Sequence, residues 1–287
     1  MVTAAVPAPL RLALEDLGVG VHALVEDAPD GGPPRRVRRC LAGGLVVDLA
    51  VSDEGRRLNL LELRGRDWAE MHAIPTVPVL RADREYGEWI VARKVPLRPS
   101  AGPDYVRAAL DASRRICVVG PPPPGPVAST WRAPRRTLAV RVARAVAAGV
   151  PVATVRRARS RAAALPLSST AHGDYHLRNV LAMEDGGVAV VDWEHLAPAP
   201  AYTDALRLWT TLKAADDRQL LIDHLTDRLR ADEREPVAVL AVWLAYRLWA
   251  ENVCSPRAHQ RPDDARHARH MVTEAEALRK DLLRRGP

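Results

Sequence analysis

Over roughly the first hundred residues the apolar positions fall in short alternating runs broken by Gly and Pro, and beyond them they recur at helical spacing. This contrast predicts a β-rich N-terminal part followed by a mainly helical C-terminal part. Residues 10–17 read as a short helix. Val21–Glu26, Arg36–Leu41 and Leu45–Val51 read as three strands of a meander, the last two joined at Gly43-Gly44, which suits a tight hairpin. Ser52 stands as an N-cap, with Asp53 and Glu54 in the first turn ahead of Leu58, Leu61, Trp68 and Met71. A helix is therefore expected over 53–73, weakened by Gly55 and Gly65 and ended by Pro75. Two further strands, Val77–Ala82 and Glu88–Val95, flank a turn at Arg84–Gly87.

Pro96, Pro99, Gly102 and Pro103 mark a linker. The boundary is placed there, giving an N-terminal lobe of residues 1–95 and a C-terminal lobe of residues 96–287. Helices are expected over 104–115, 135–148, 152–164, 203–213, 217–230, 236–252 and 262–284, with Trp243, Leu244, Leu248 and Trp249 as core. Short strands at Val180–Ala182 and Val188–Val191 surround the turn Glu184–Gly187, and Pro121–Pro124 reads as a stiff surface loop.

Composition narrows the class. Hydrophobic residues at 47% and charged residues at 27% exclude a disordered chain. Cys40, Cys117 and Cys254 are far apart and outside any CxxC spacing, which disfavours a disulfide framework or a zinc site and points to a reducing, cytoplasmic setting. Met1–Leu10 lacks the basic-then-apolar pattern of a secretion signal, and no uninterrupted apolar stretch suggests a membrane span. The net charge of +7 raises nucleic-acid binding. The cations, however, are spread along the chain and are almost all arginine, with no Phe present, which reads as codon bias and argues against that partner.

The chemistry concentrates in His172-Gly173-Asp174-Tyr175-His176-Leu177-Arg178-Asn179-Val180, followed by Val190-Val191-Asp192-Trp193-Glu194. A loop carboxylate, an amide five residues on and a second carboxylate carried back by a small hairpin suit phosphoryl transfer. One acid takes the hydroxyl proton, and the amide and second acid hold magnesium. His172 and His176 do not form HExxH, and Ser168-Ser169-Thr170 is no nucleophile elbow, so zinc and serine hydrolase chemistry have little support.

These residues resemble the aminoglycoside phosphotransferase family, small-molecule kinases of protein-kinase-like fold. Its HGDxHxxN element matches at His172, Gly173, Asp174, His176 and Asn179, and its Asp-Trp-Glu element at Asp192 to Glu194. The resemblance implies an α+β, two-lobed fold: a small β-rich lobe with one helix, and a larger helical lobe carrying the catalytic loop 172–180 and the metal-binding segment 190–194. It implies Asp174 as catalytic base, Asn179 and Asp192 as magnesium ligands, and His172 and Asp204 as supports of the loop. The backbone of Arg93, Lys94 and Val95 would receive the nucleotide at the hinge. ATP and magnesium are the implied cofactors, and a hydroxylated small molecule, an aminoglycoside-like antibiotic or a metabolite, the implied acceptor.

One departure stands out. The family resemblance implies a lysine on the third strand that grips phosphates and pairs with a helix glutamate, yet Leu45–Val51 has none, and neither has Arg57–Leu63. Glu62, or else Glu54 or Glu70, is left as the helix acid, and Arg39 and Arg56 stand as candidate replacement cations. No glycine-rich phosphate loop is evident; Gly18-Val19-Gly20 and Gly31-Gly32 read as turns. Without the lysine, the competing expectation is a pseudokinase or ligand-binding module. Among the acids that could face a cationic acceptor, Glu194 and Glu251 carry the most weight.

Overall fold

A computed structural model of the chain describes residues 2–4, 6–19, 24–26, 35–41, 44–122, 143–254 and 262–284. The expected turn residue Gly43, the pair Gly31-Gly32, Gly20, Pro123 and Pro124, positions 135–142 and the Arg39 side chain lie outside the described residues.

In chain order the elements are β1 (Val2–Ala4), α1 (Ala8–Asp16), β2 (Leu24–Glu26), β3 (Arg36–Leu41), β4 (Leu45–Ala50), α2 (Asp53–Met71), β5 (Val79–Ala82), β6 (Trp89–Arg93) and α3 (Pro103–Val118). There follow α4 (Val152–Ala163), β7 (Ser169–Ala171), β8 (Val180–Ala182), β9 (Val188–Val190), β10 (Ala197–Ala199), α5 (Thr203–Thr211), α6 (Ala215–Thr226), α7 (Arg234–Cys254) and α8 (Pro262–Arg284). The described residues form two compact units: those up to Arg98 with Leu181–His195, and Pro99–Pro122 with 143–180 and 196–284.

The first unit is built on an antiparallel sheet of order β3-β4-β6-β5. Strand residues alternate between faces. Val37, Leu45, Val47, Leu49 and Val91 pack with Leu10 and Leu14 of α1. The alternate face of β3 and β4 carries Arg36, Arg38 and Asp48, with Arg38 directly opposite Asp48. The expected three-strand meander is not what forms among the described residues: β2 pairs with β1, a three-residue strand too short to show any alternation.

Helix α2 starts where its cap predicts, the Ser52 Oγ accepting from the Gly55 amide at 3.1 Å. Its two glycines, expected only to weaken it, have a packing reason. A Cβ at Gly55 would run into the Arg35 carbonyl, and one at Gly65 would stand 2.5 Å from the Trp193 Cβ.

From Leu181 onward the β8–β9 hairpin and the segment after it group with this first unit, whereas the sequence reading placed 190–194 in the other lobe. Long-range bonds account for it. The Val190 amide donates to Pro75 O at 2.9 Å, the Arg98 amide to Ala182 O at 3.0 Å, and the Arg98 guanidinium to Gly186 O at 2.9 Å. The division after Arg98 falls just beyond the expected linker start.

In the second unit α7 is buried on nearly all sides and packs against α8, α4 and α5. Trp243, Leu244 and Leu248 are core as expected, and the half-buried Trp249 stacks on Tyr246 beneath Arg269. The most apolar window of Ala231–Cys254 has mean hydropathy 1.3 and is 72% buried, as in a core helix. Two buried tyrosines tie the loop region to α3: Tyr105 donates to Val180 O at 3.1 Å, and Tyr175 to Ala109 O at 2.6 Å. The β7–β10 pair, absent from the sequence reading, frames the loop's entrance.

Candidate active site

The loop 172–179 hangs on one carboxylate. Asp204, in the first turn of α5, accepts from the His172 amide at 2.7 Å and the Gly173 amide at 3.2 Å. Gly173 has φ of 82°, a conformation open to glycine at little cost. Asp204 is fully buried, and burial pushes its carboxyl up to about 7 against the pull of those two amides.

Asp174 is oriented by three neighbours. The Asn179 amide nitrogen donates to the Asp174 carbonyl at 3.0 Å and lies 3.4 Å from its Oδ2. The His176 Nε2 lies 3.3 Å from Oδ2, and the Arg207 Nη2 3.5 Å from Oδ1. Because His176 Nδ1 accepts from the Arg178 amide at 3.1 Å, the His176 ring proton that faces Asp174 is the one on Nε2. Burial alone would raise Asp174, but the hydrogen bond and charge of His176, with Arg207 and His172, hold it well below the usual carboxylate range.

Arg207 is itself buried and locked. Its Nη2 lies 3.0 Å from Glu251 Oε2, and Arg247 Nε holds the other Glu251 oxygen at 2.6 Å. Burial would lower Arg207, but Glu251 and Asp174 raise it; Arg207 and Arg247 in turn lower Glu251 against its own burial. Two cations and two anions thus balance around the loop. Beside them opens a cleft of about 270 Å³ whose lining includes His176, Arg207, Thr211, Glu251, Asn252 and His267.

The first unit holds the second carboxylate. Asp192 has φ of 63°, a strained backbone for a non-glycine residue, and is followed by Trp193, whose indole donates to Val190 O and Thr76 Oγ1, each at 3.0 Å. Arg38 Nη2 reaches Asp192 Oδ1 at 2.8 Å, and Arg36 Nη2 lies 2.8 Å from each Glu194 oxygen. Burial, with Glu62 and Asp192 nearby, pushes Glu194 upward against Arg36. Glu62 is fully buried on α2 and pairs with Arg66 of the same helix at 2.6 Å. Glu62, Asp192 and Glu194 can each offer an oxygen within 4.8 Å of the others, and Glu62 Oε2 is buried without a hydrogen-bond partner among the described residues. Hard oxygen donors with one acceptor unsatisfied fit a divalent cation such as magnesium.

The predicted residues thus divide between the units: Asp174 and Asn179 in the second, Asp192 in the first with the hinge candidates. Arg93 and Lys94 are exposed, and their amides donate to Pro78 O at 3.5 Å and to Gly44 O at 2.7 Å. Val95 packs against Val77, Ala92 and Ala189 with Met183 and Val191. Arg56 pairs with Asp53, its neighbour one turn back on α2. Sequence reasoning missed Arg36, Arg38 and Arg207, and gave His176 a motif position but no chemistry. Arg207 carried one usable signal, its place three residues after Asp204, on the same helix face. Glu194 and Glu251, weighed earlier as acids facing a cationic acceptor, are both taken up by arginines.

A kinase-type loop, an Asp-Trp-Glu segment and this order of strands and helices define a phosphotransferase on a protein-kinase-like, two-lobed α+β fold. The model of the phosphotransferase enzyme family matches residues 8–240, and the chain belongs to that family. Among solved structures it is similar to a choline/ethanolamine kinase family protein from Mesorhizobium loti, with 20% identity, 87% of this chain and 89% of that one covered, and a TM-score of 0.52. It is also similar to spectinomycin phosphotransferase in complex with ADP and spectinomycin (11% identity, 94% and 97% covered, TM-score 0.55). A third is the choline kinase LicA from Streptococcus pneumoniae (13% identity, 94% and 98% covered, TM-score 0.54). At these identities the likeness is one of fold. A search of curated proteins returned no match.

Proposed function

We propose that the protein is a cytoplasmic kinase that transfers the γ-phosphoryl group of ATP to a hydroxyl of a small molecule. The observation that carries this reading is the setting of Asp174: a largely buried carboxylate that still reaches solvent, aimed by His176, Asn179 and Arg207 on a loop pinned to Asp204. In the reaction the acceptor oxygen bonds to the γ-phosphorus, the bond from that phosphorus to the β–γ bridging oxygen breaks, and the electron pair stays on ADP. The hydroxyl proton passes to the Asp174 carboxylate. So weak a base orients the hydroxyl first and takes its proton late, as suits a loose phosphoryl-transfer transition state.

Asn179 and Asp192 are proposed as magnesium ligands, with the oxygens of Glu62 and Glu194 close to Asp192. Magnesium, when bound, offsets the charge of the phosphates. Val95 and the apolar side chains around it would seat the adenine, with the Arg93–Val95 backbone alongside.

The cleft beside Arg207 is proposed for the acceptor. Its two acids are already paired, Glu251 with Arg207 and Arg247 and Asp264 with Lys213 at 2.8 Å. That leaves no uncompensated carboxylate among its described lining for a polycation, so a neutral or anionic hydroxylated metabolite suits it better than an aminoglycoside. An ATP-consumption screen over hydroxylated metabolites and antibiotics tests this: turnover with a metabolite supports it, and turnover confined to polycations contradicts the acceptor class. The competing reading, a binding module without turnover, draws on the missing third-strand lysine. Nucleotide binding with no consumption across the panel would favour it.

A further inference from the structure

The strand expected to carry a phosphate-gripping lysine, β4, carries a buried aspartate instead, and the cation stands opposite it. Arg38 of β3 is the register partner of Asp48. Opposed residues of an antiparallel pair share a face. Its Nε lies 2.6 Å from Asp48 Oδ1 and its Nη2 3.1 Å from Oδ2, while the same Nη2 reaches Asp192 Oδ1 at 2.8 Å. Asp48 is almost completely buried, yet the Arg38 side chain is 45% exposed, and its Nη1 has no hydrogen-bond partner among the described residues. One edge of the guanidinium is thus fixed by two carboxylates, while Nη1 keeps its donors free of any described protein acceptor.

The surrounding charges say what that open edge would meet. Asp48, Glu62, Asp192 and Glu194 face Arg36, Arg38 and Arg66, one negative charge in excess. With a divalent cation held at Asp192 beside Glu62 and Glu194, that sign would reverse and the group would attract phosphate. A fixed, planar guanidinium with free donors is a strong phosphate ligand.

We propose that Arg38 is the phosphate-binding cation of the nucleotide site and the positioning residue for Asp192, the positive charge having passed from β4 to the facing residue of β3. The proposal rests on the nucleotide reading above. It makes the missing lysine an exchange between strands rather than a loss.

The test is isothermal titration of the full chain with ATP plus magnesium and, separately, with adenosine, which has no phosphate. Arg38→Met alone would strand a buried Asp48, so the variant is Arg38→Met/Asp48→Asn, with a cooperative melt as the check on folding. It should weaken ATP–magnesium binding about tenfold or more and leave adenosine binding as in the wild type. Arg38→Met/Asp48→Lys, which returns a cation to β4, should recover most of the lost affinity. Wild-type ATP binding in the Asn variant, or equal losses for ATP and adenosine, would overturn the assignment. A Lys variant no better than the Asn variant would contradict the exchange. A wild-type protein that binds neither ligand overturns the nucleotide reading itself, and this inference with it.

Discussion

Gly65 of α2 lies against Trp193 so closely that a side chain there would place its Cβ 2.5 Å from the Trp193 Cβ and 2.7 Å from the Trp193 carbonyl oxygen. The backbone next to Asp192 is thereby pressed onto the helix that carries Glu62. Gly65→Ala should cost about 1–3 kcal/mol despite alanine's better helix propensity, read as a lower denaturation midpoint. A variant as stable as the wild type would contradict the close approach.

Asp204 supplies a pH dependence. Its carboxyl is held up at about 7 in the folded chain, well above the unfolded value. The stabilisation from its protonated form is fully present below the unfolded pKa and is lost as pH rises through about 7. Across that window the slope is at most about 1.4 kcal/mol per pH unit. Denaturation series at several pH values should show it in the wild type and not in Asp204→Asn; identical slopes would contradict it. Asp204→Ala also orphans two loop amides, at about 1–3 kcal/mol each.

Much of this fold was legible from local pattern. Arg36–Leu41 and Val180–Ala182 are strands over the residues expected, and α2 begins at its Ser52 cap. β1, β7 and β10 were not legible, because three residues give too little alternation to tell from a loop. In the site, Asp174, Asn179 and Asp192 stood out by spacing, whereas Arg36 and Arg38 meet Glu194 and Asp192 across more than 150 positions of chain. Gly55 and Gly65 looked like helix defects because nothing nearby in sequence reveals what they approach. His176 was visible but given no chemistry, since its link to Asp174 depends on which ring nitrogen carries the proton.

Arg207 and His176 both pull the Asp174 carboxyl down. Arg207→Met should therefore raise the acidic limb of the kcat/KM profile, and His176→Phe should do so as well. Glu251 keeps Arg247 as a partner when Arg207 is lost. The pH–rate profiles of both variants check this, and limbs unmoved from the wild type would show that neither residue sets the ionisation of Asp174.

The most direct test of the phosphotransferase account is transfer from γ-labelled ATP to the acceptor found in the screen, wild type beside Asp174→Asn, with nucleotide affinity measured on both. The account expects transfer by the wild type, a loss of about 10²-fold or more in the variant and unchanged ATP–magnesium affinity. Transfer by the variant at the wild-type rate would contradict it.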